Sequence, residues 1–261
     1  MMISVVLSAG GERRNTPQRR LHPMGRAVSH YTLRRTSMAT TNTQAVPLRT
    51  KRGISAGSIF SAIGRWIVRN RIYLIAFAIP AALTYLAYAI FGLYPFGEES
   101  VLCLDLNGQY VYFFQALRDI ITEGGSLLYS FRRSLGGEFL GIIGYYIASP
   151  FSAIVALFPE THITEALLVI FLLKTGLCGL TFGSYIEATR KRNRPMTVVF
   201  STLYALCAYA VVMQHNTMWI DNLIYLPLIL LGVENIIKNG KYKMFIITLS
   251  LAIMSNFYIG Y

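Results

Sequence analysis

Long apolar runs separated by short basic stretches fill the chain after residue 71. The run at 72–93 carries no charged residue and, at about 1.5 Å per helical residue, is long enough to cross a bilayer. Four similar runs follow at 163–186, 196–213, 219–236 and 244–261. This pattern predicts an all-α integral membrane protein with about five membrane spans.

A long mixed segment, 94–162, separates the first two spans. Within it, 108–123 carries apolar residues at helical spacing and stops at Gly124-Gly125, which predicts a surface helix. The stretch 139–158 is apolar but interrupted by two glycines and Pro150. Such interruptions favour a segment that enters the membrane without crossing it, or that lies along its surface.

The basic stretches predict the topology, because cytoplasmic loops are enriched in Lys and Arg. The N-terminal tail, 190–194 and 238–243 are the basic segments and are expected inside the cell. The span 72–93 then runs outward and 163–186 runs inward, so 94–162 and the turn 214–218 face outside. This arrangement requires that 139–158 does not cross the bilayer.

The charge of the chain is concentrated in its N-terminal quarter. Residues 1–71 hold 13 Lys and Arg and one acid, whereas the remaining acids and bases balance. The isoelectric point near 9.8 therefore describes a tail, and no nucleic-acid partner is expected. We interpret 1–53 as a disordered basic cytoplasmic tail and 54–71 as a juxtamembrane amphipathic helix facing membrane lipids.

Composition excludes a water-soluble globular enzyme. The chain is 54% hydrophobic and only 14% charged, against about 25% charged residues in soluble domains. Its three cysteines show no spacing typical of a zinc site. The sequence stops inside an apolar run, so we expect a truncated membrane domain that is inactive alone.

The densest polar cluster, 105–110, follows the first span by about a dozen residues. Asp105 could act as a general base toward an acceptor hydroxyl or could bind a divalent metal. Asn107, Gln109 and Tyr110 are candidate substrate-binding residues beside it. The structural alternative is that Asp105 or Asn107 caps the helix that follows.

Other candidates are charged residues in the same loop or near the ends of spans. Arg118, Arg132 and Arg133 suit phosphate binding, or else pair with acids of the loop or with lipid headgroups. Asp221 lies just inside a span, where a carboxylate is costly without a partner or a wet cavity. Lys174 lies mid-span and is expected to pair with a carboxylate or to face a lipid phosphate. His215 in the turn 214–218 is interpreted mainly as solvated.

Residues 91–261 resemble the YfhO-type family of bacterial multispanning membrane proteins. The resemblance is carried by ordered sequence blocks: Gly92-Leu93-Tyr94-Pro95-Phe96-Gly97, Asp105-Leu106-Asn107-Gly108-Gln109-Tyr110, Gly124-Gly125-Ser126-Leu127-Leu128-Tyr129-Ser130, Ser134-Leu135-Gly136-Gly137, Tyr146-Ile147-Ala148-Ser149-Pro150, Met218-Trp219-Ile220-Asp221 and Leu226-Pro227-Leu228. Residues 1–70 lie outside it.

The resemblance implies a GT-C-like helical bundle and an inverting membrane glycosyltransferase in the bacterial cell membrane. The sugar donor would be a polyprenyl-phosphate lipid, and the acceptor an extracytoplasmic envelope polymer such as lipoteichoic acid. Asp105 matches the position of the catalytic acid in the first outer loop of that class. No organic cofactor is expected, and the involvement of a divalent metal is left open. A transporter or flippase of a lipid-linked precursor, or a non-catalytic assembly factor, is the alternative.

Overall fold

The computed structural model describes residues 56–131, 135–190 and 194–261, with side chains from Arg65 onward. The predicted basic tail and Arg132 and Arg133 lie outside the described residues. Most of the described chain is helical, as the apolar pattern predicts. The helices are α1 (Ala56–Ile90), α2 (Val111–Glu123), α3 (Leu140–Ile142), α4 (Ile163–Thr189), α5 (Arg194–Ala205), α6 (Ala208–Val212), α7 (Thr217–Asn239), α8 (Lys243–Ser255) and α9 (Phe257–Gly260).

Several short, non-α segments connect these helices. Two π-helical turns occur at Leu106–Tyr110 and Ile143–Ile147, and 3₁₀ segments occur at Pro150–Leu157, Glu160–His162 and Met213–His215. The strands β1 (Tyr129–Ser130) and β2 (Gly137–Glu138) pair antiparallel in a two-residue ladder. These irregular segments lie mostly in the loop 91–162, at the end of the bundle where α1 ends and α7 begins.

Three described helical stretches are long and apolar enough to cross a membrane. They are Arg65–Ile90, Glu160–Thr189 and Thr217–Asn239. A fourth candidate combines α5 and α6, which meet at a 42° bend. Helix α1 runs without a break from the predicted juxtamembrane segment 54–71 into the predicted span 72–93, and the boundary between them stays a prediction.

The two remaining apolar segments are less regular than the spans. The stretch 140–157 bends by 100° between Ile147 and Pro150, a geometry that suits a broken span or a re-entrant loop. The predicted span 244–261 is divided instead: α8 has 13 residues and ends at Ser255, and α9 follows after Asn256. The Asn256 side chain caps α9 through Ile259 N and donates to Tyr145 O of the bent segment, which explains the break.

Helix α4 is the central helix of the bundle. Within the 18-residue apolar stretch of each helix, 67% of the residues are buried in α4, compared with 22% in α1 and 33% in α7. Glycines let α1 approach it closely: a Cβ on Gly176 would lie 2.6 Å from the Phe77 ring, and one on Gly179 would overlap the carbonyl oxygen of Ala76. That carbonyl receives no helical hydrogen bond because Pro80, four residues later, has no N–H. Small residues permit such approaches in membrane helices.

The surface helix α2 packs its apolar side against the bundle. Phe114, Ala116 and Leu117 are buried, and α2 contacts the 3₁₀ segment Pro150–Leu157. The helix ends at Gly124, whose φ of 83° is accessible to glycine. The sequence prediction of a helix ending at Gly124-Gly125 is therefore confirmed, although a π turn replaces its first residues.

We expect Gly179→Ala to destabilise the protein by about 1–3 kcal/mol, because the added methyl meets rigid backbone rather than a movable side chain. The matched control is Gly144→Ala, since a Cβ there has nothing within 4 Å. Thermal unfolding in detergent, followed by tryptophan fluorescence, measures both variants. Equal midpoints for the two would show that the α1–α4 contact is looser than the structure indicates.

Candidate functional site

The segment 104–110 combines two unusual backbone features. Leu104 has a φ of +50°, which is rare for a branched side chain and costs on the order of 1–3 kcal/mol. Asp105 follows at once, and Leu106–Tyr110 then forms a π-helical turn. π turns are rare and concentrate at functional sites, because the wider turn redirects side chains that an α-helix would place elsewhere. The backbone directly before Asp105 is therefore held in a conformation that costs free energy.

A hydrogen-bonded chain links this turn to the start of α7. The Tyr110 hydroxyl lies 3.3 Å from Asp105 Oδ2 and 3.0 Å from Asn216 Oδ1. Because a tyrosine hydroxyl carries one proton, it donates to one of these acceptors at a time. Asn216 Nδ2 in turn lies 2.9 Å from His215 Nε2, and His215 Nδ1 lies 3.0 Å from Val212 O. We call Asp105, Tyr110, His215 and Asn216 the polar cluster.

The polarity of this chain follows from its acceptors. The Val212 carbonyl can only accept, so His215 carries its proton on Nδ1 and accepts at Nε2 from the Asn216 amide. Burial, and after it the neighbouring Asp105 carboxylate, raise the pKa of Tyr110 above its ordinary value. The tyrosine therefore keeps its proton near neutral pH and serves the cluster as a donor.

Asp105 itself is exposed, whereas Tyr110 and Asn216 are buried. The Asp105 side chain makes no capping hydrogen bond to the helical turn that it precedes. The capping alternative for this residue therefore has no support in the geometry. A solvent-facing carboxylate that is held by a single shared donor retains lone pairs to accept a proton from an incoming hydroxyl. Asn107 and Gln109 are also exposed on the same turn.

A second π turn lies against the polar cluster. Tyr146, in Ile143–Ile147, packs on the Tyr110 ring at 5.2 Å and on the Phe113 ring at 5.1 Å between centroids. The bent segment 140–157 thereby forms an aromatic wall beside Tyr110. Nothing in the spacing of these two stretches, which are more than 30 residues apart, indicated that their tyrosines would meet.

Arg118, the arginine candidate that the described residues include, does not join this cluster. Arg118 Nη1 lies 2.8 Å from Asp119 and 3.4 Å from Glu123, and its Nε donates to Phe158 O. Arg118 therefore pairs with acids of the loop, which was the alternative to phosphate binding for this residue. Arg132 and Arg133 remain sequence predictions, because they lie outside the described residues.

Asp221 lies deeper in the bundle, one turn into α7. Lys174 Nζ of α4 is 3.0 Å from Asp221 Oδ1 and 3.1 Å from Oδ2, and it donates to Thr217 O at 2.8 Å. Both side chains are at least 98% buried. The expectation that Lys174 pairs with a carboxylate of the bundle is confirmed. The pair neutralises both charges beneath the polar cluster, and a substrate-binding role for Asp221 stays a prediction.

The ion pair also holds the bend of the segment 140–157. Ser149, at the bend, interacts with the Asp221 carboxylate, and Lys174 Nζ lies 5.7 Å from the centre of the Phe151 ring. The lysine therefore connects α4, the first turn of α7 and the bend. Asn216 immediately precedes that first turn, so the position of its amide depends on this junction.

Sequence reasoning missed Asn216 and gave His215 little weight. A short polar turn between two apolar runs is usually solvated, and only the approach of the loop 91–162 buries it. Asparagine at the start of a long helix was the available signal, since it is a common N-cap residue. In the structure its side chain makes contacts outside the helix instead. Among the described residues, no group of three or more His, Cys, Asp or Glu side chains could hold a metal ion.

Its apolar helices, central buried ion pair and partly irregular loop define the protein as an α-helical integral membrane protein. Residues 76–261 match the family described as "Bacterial membrane protein YfhO", and the chain belongs to that family. It is 28% identical over 170 residues to the "Uncharacterized protein YfhO" of Bacillus subtilis strain 168. That match covers 59% of this chain but only 19% of the relative. No solved structure matches the chain.

We expect Lys174→Met to destabilise the protein by about 3–5 kcal/mol, because it leaves the Asp221 charge buried without a partner. The double variant Lys174→Met with Asp221→Leu should recover most of that loss, since apolar replacement of a whole buried pair is close to neutral. Thermal unfolding of wild type, Lys174→Met, Asp221→Leu and the double variant completes a double-mutant cycle. Additive losses would contradict direct coupling between the two side chains.

Proposed function

We propose that this protein is a membrane glycosyltransferase that moves a sugar from a lipid-linked donor to an extracytoplasmic envelope polymer. The observation that carries the proposal is the exposed Asp105 carboxylate, held by Tyr110 at the start of a π turn. The resemblance noted above places an acidic residue of this kind in the first outer loop of such enzymes. The YfhO relationship supports a bacterial membrane location, and the chemistry is our proposal.

In the proposed reaction, Asp105 accepts the proton of the acceptor hydroxyl. The hydroxyl oxygen then forms a bond to the anomeric carbon of the sugar from the side opposite the leaving group. The bond between that carbon and the phosphate oxygen breaks, and the phosphate of the polyprenyl lipid leaves with the electron pair. A single displacement of this type inverts the anomeric configuration. Tyr110 orients the carboxylate when its one proton is directed to Asp105, and Asn216 Oδ1 is the competing acceptor.

Charge on the leaving phosphate needs a counterion. Arg132 and Arg133 are the proposed phosphate ligands, and a divalent metal held with Asp105 is the alternative that the sequence leaves open. Asn107 and Gln109 are proposed sugar contacts, because their amides are exposed on the same turn as Asp105. Lipoteichoic acid is one candidate acceptor.

The two other function classes are less well supported. A transporter needs charged groups along a path through the bilayer, and the deep charges here, Lys174 and Asp221, neutralise each other beside a cavity of about 10 Å³. An assembly factor does not need an exposed carboxylate at this position. Such a role would not account for the strained backbone at Leu104, directly before Asp105. We therefore place both classes behind glycosyl transfer.

Asp105→Asn should lower transfer by about 100- to 10,000-fold, the usual contribution of a general base. The gene is deleted in its own host and complemented with wild type, Asp105→Asn or Glu98→Gln, a matched exposed carboxylate in the same loop. Mass spectrometry of envelope polymers then reports glycan decoration. A hexose or N-acetylhexosamine mass should return with wild type and Glu98→Gln only. Full decoration with Asp105→Asn, at equal expression, would make this carboxylate structural.

The proposal also requires that the loop 91–162 faces outside. In a background with the native cysteines replaced by alanine, Glu98→Cys should react with a membrane-impermeant maleimide on intact cells. Lys241→Cys, in the basic turn between α7 and α8, should react only after lysis. The reverse pattern would place Asp105 on the cytoplasmic side, where no envelope polymer is available as acceptor.

A further inference from the structure

The polar cluster contains a histidine at the end opposite to the proposed base. His215 is half-buried, so its ring remains accessible to protons from solvent. Histidine is the side chain that ordinarily changes its charge between about pH 5 and 8. The reaction proposed above gives this ring no role, although Asn216 and Tyr110 connect it to Asp105.

With a neutral imidazole, the hydrogen bonds of the cluster have one consistent arrangement. His215 Nδ1 donates to Val212 O at 3.0 Å, so Nε2 accepts from the Asn216 amide N–H over 2.9 Å. The Asn216 carbonyl oxygen then lies 3.0 Å from the Tyr110 hydroxyl, whereas Asp105 Oδ2 lies 3.3 Å from it. The shorter distance favours the amide as the acceptor of the tyrosine proton. Asp105 thereby keeps its lone pairs for a substrate hydroxyl.

Protonation of His215 is incompatible with this arrangement. An imidazolium carries N–H donors at both ring nitrogens, so Nε2 would point a donor at the N–H groups of Asn216. Rotation of the amide by half a turn removes the conflict, because its carbonyl oxygen then accepts from the ring. The amide nitrogen now faces Tyr110 and donates to the hydroxyl oxygen, so the tyrosine proton turns to Asp105.

The rotation changes the chemistry of the proposed base. A hydrogen bond that Tyr110 donates permanently to Asp105 stabilises the ionised carboxylate and makes it a weaker base. In both arrangements the Asn216 amide has a partner at each end, so the cluster can exist in either form. The ring acts through two intermediate side chains and is therefore a positioning group, since it does not itself touch the reacting atoms.

The groups around the ring leave Asn216 as the one that responds to the added proton. Titratable side chains on the neighbouring elements are Tyr88 of α1, Cys103 and Asp105 of the loop, and Lys174 of α4, which is paired with Asp221. Tyr88 and Cys103 line the same crevice as His215, between α1, α4 and the α5–α6 bend. The hydrogen bonds of the imidazole go instead to Val212 O and Asn216.

We infer that His215 is a positioning residue that makes the proposed base sensitive to pH. Its protonation rotates the Asn216 amide and directs the Tyr110 proton to the carboxylate, so sugar transfer slows in acid. The effect on transfer rests on the proposed function. The rearrangement of the hydrogen bonds does not, and it can be observed without substrate.

A fluorine label at position 110 tests the rearrangement. The purified protein in phospholipid nanodiscs carries 3-fluorotyrosine in place of Tyr110, and its fluorine NMR shift reports the partner of the hydroxyl. Between about pH 8 and 5 the shift should move in one step. The step should disappear in His215→Gln, because glutamine accepts from Asn216 but does not titrate. It should remain in His162→Gln, a matched loop histidine that contacts Thr161 and Glu165. A step that persists in His215→Gln would overturn the inference.

Asn216→Leu separates rotation of the amide from the electric field of the imidazolium. Leucine has nearly the same shape but no hydrogen-bonding groups, and His215 still gains its proton in this variant. The fluorine step should therefore vanish. A full step would show that charge alone reaches Tyr110, and the inference would be wrong. If a variant does not fold, His215→Asn or Asn216→Ser replaces it, since the first does not titrate and the second is too short to reach both neighbours.

Glycan decoration gives the arm that depends on the proposed function. Host cells carrying wild type or His215→Gln receive a short pulse of carbon-13 glucose at an external pH of about 5.5 or about 7.5, on either side of ordinary histidine titration. Labelled decoration is normalised to each strain's own value at the higher pH. Wild type should fall about threefold to tenfold further than His215→Gln in acid. Equal falls would refute the link between His215 and the base. A fluorine step without any decoration by wild type would refute the proposed function and leave the rearrangement in place.

Discussion

The buried ion pair between Lys174 and Asp221 is the interaction on which the rest of the bundle depends. A charged group within a membrane bundle is tolerated only with a partner, so the pair fixes α4 against α7. The same ammonium holds Thr217 O, and the same carboxylate meets Ser149 at the bend of 140–157. Three elements that are distant in sequence therefore converge at one point, about one helical turn below the polar cluster.

This junction accounts for the geometry of the candidate site. Once α7 begins at a fixed position, Asn216 lies where its amide meets Tyr110, and Tyr110 lies beside Asp105. The bend held by Ser149 places Tyr146 against the same tyrosine. The proposed base is thus exposed but is supported by buried neighbours, an arrangement that combines access for substrate with fixed orientation.

Close packing of α1 on α4 has a comparable role at the other side of the bundle. Gly176 and Gly179 bring the two helices together, and Pro80 leaves a carbonyl of α1 available at the contact. The bent α5–α6 pair leaves a crevice of about 510 Å³ beside these two helices.

Hydrophobic pattern alone determined that the chain is helical and membrane-embedded, and it located three long helices and the end of α2 at Gly124. These features follow from bilayer thickness and helical period, which act on contiguous residues. The pattern could not show that α8 ends at Ser255 or that one helix, α1, runs through residue 71, because both depend on neighbouring packing. Only the tertiary structure joined Lys174 to Asp221, 47 residues apart, and Tyr110 to Asn216, 106 residues apart. Such contacts depend on how helices rotate and tilt against one another, which spacing along one chain does not specify.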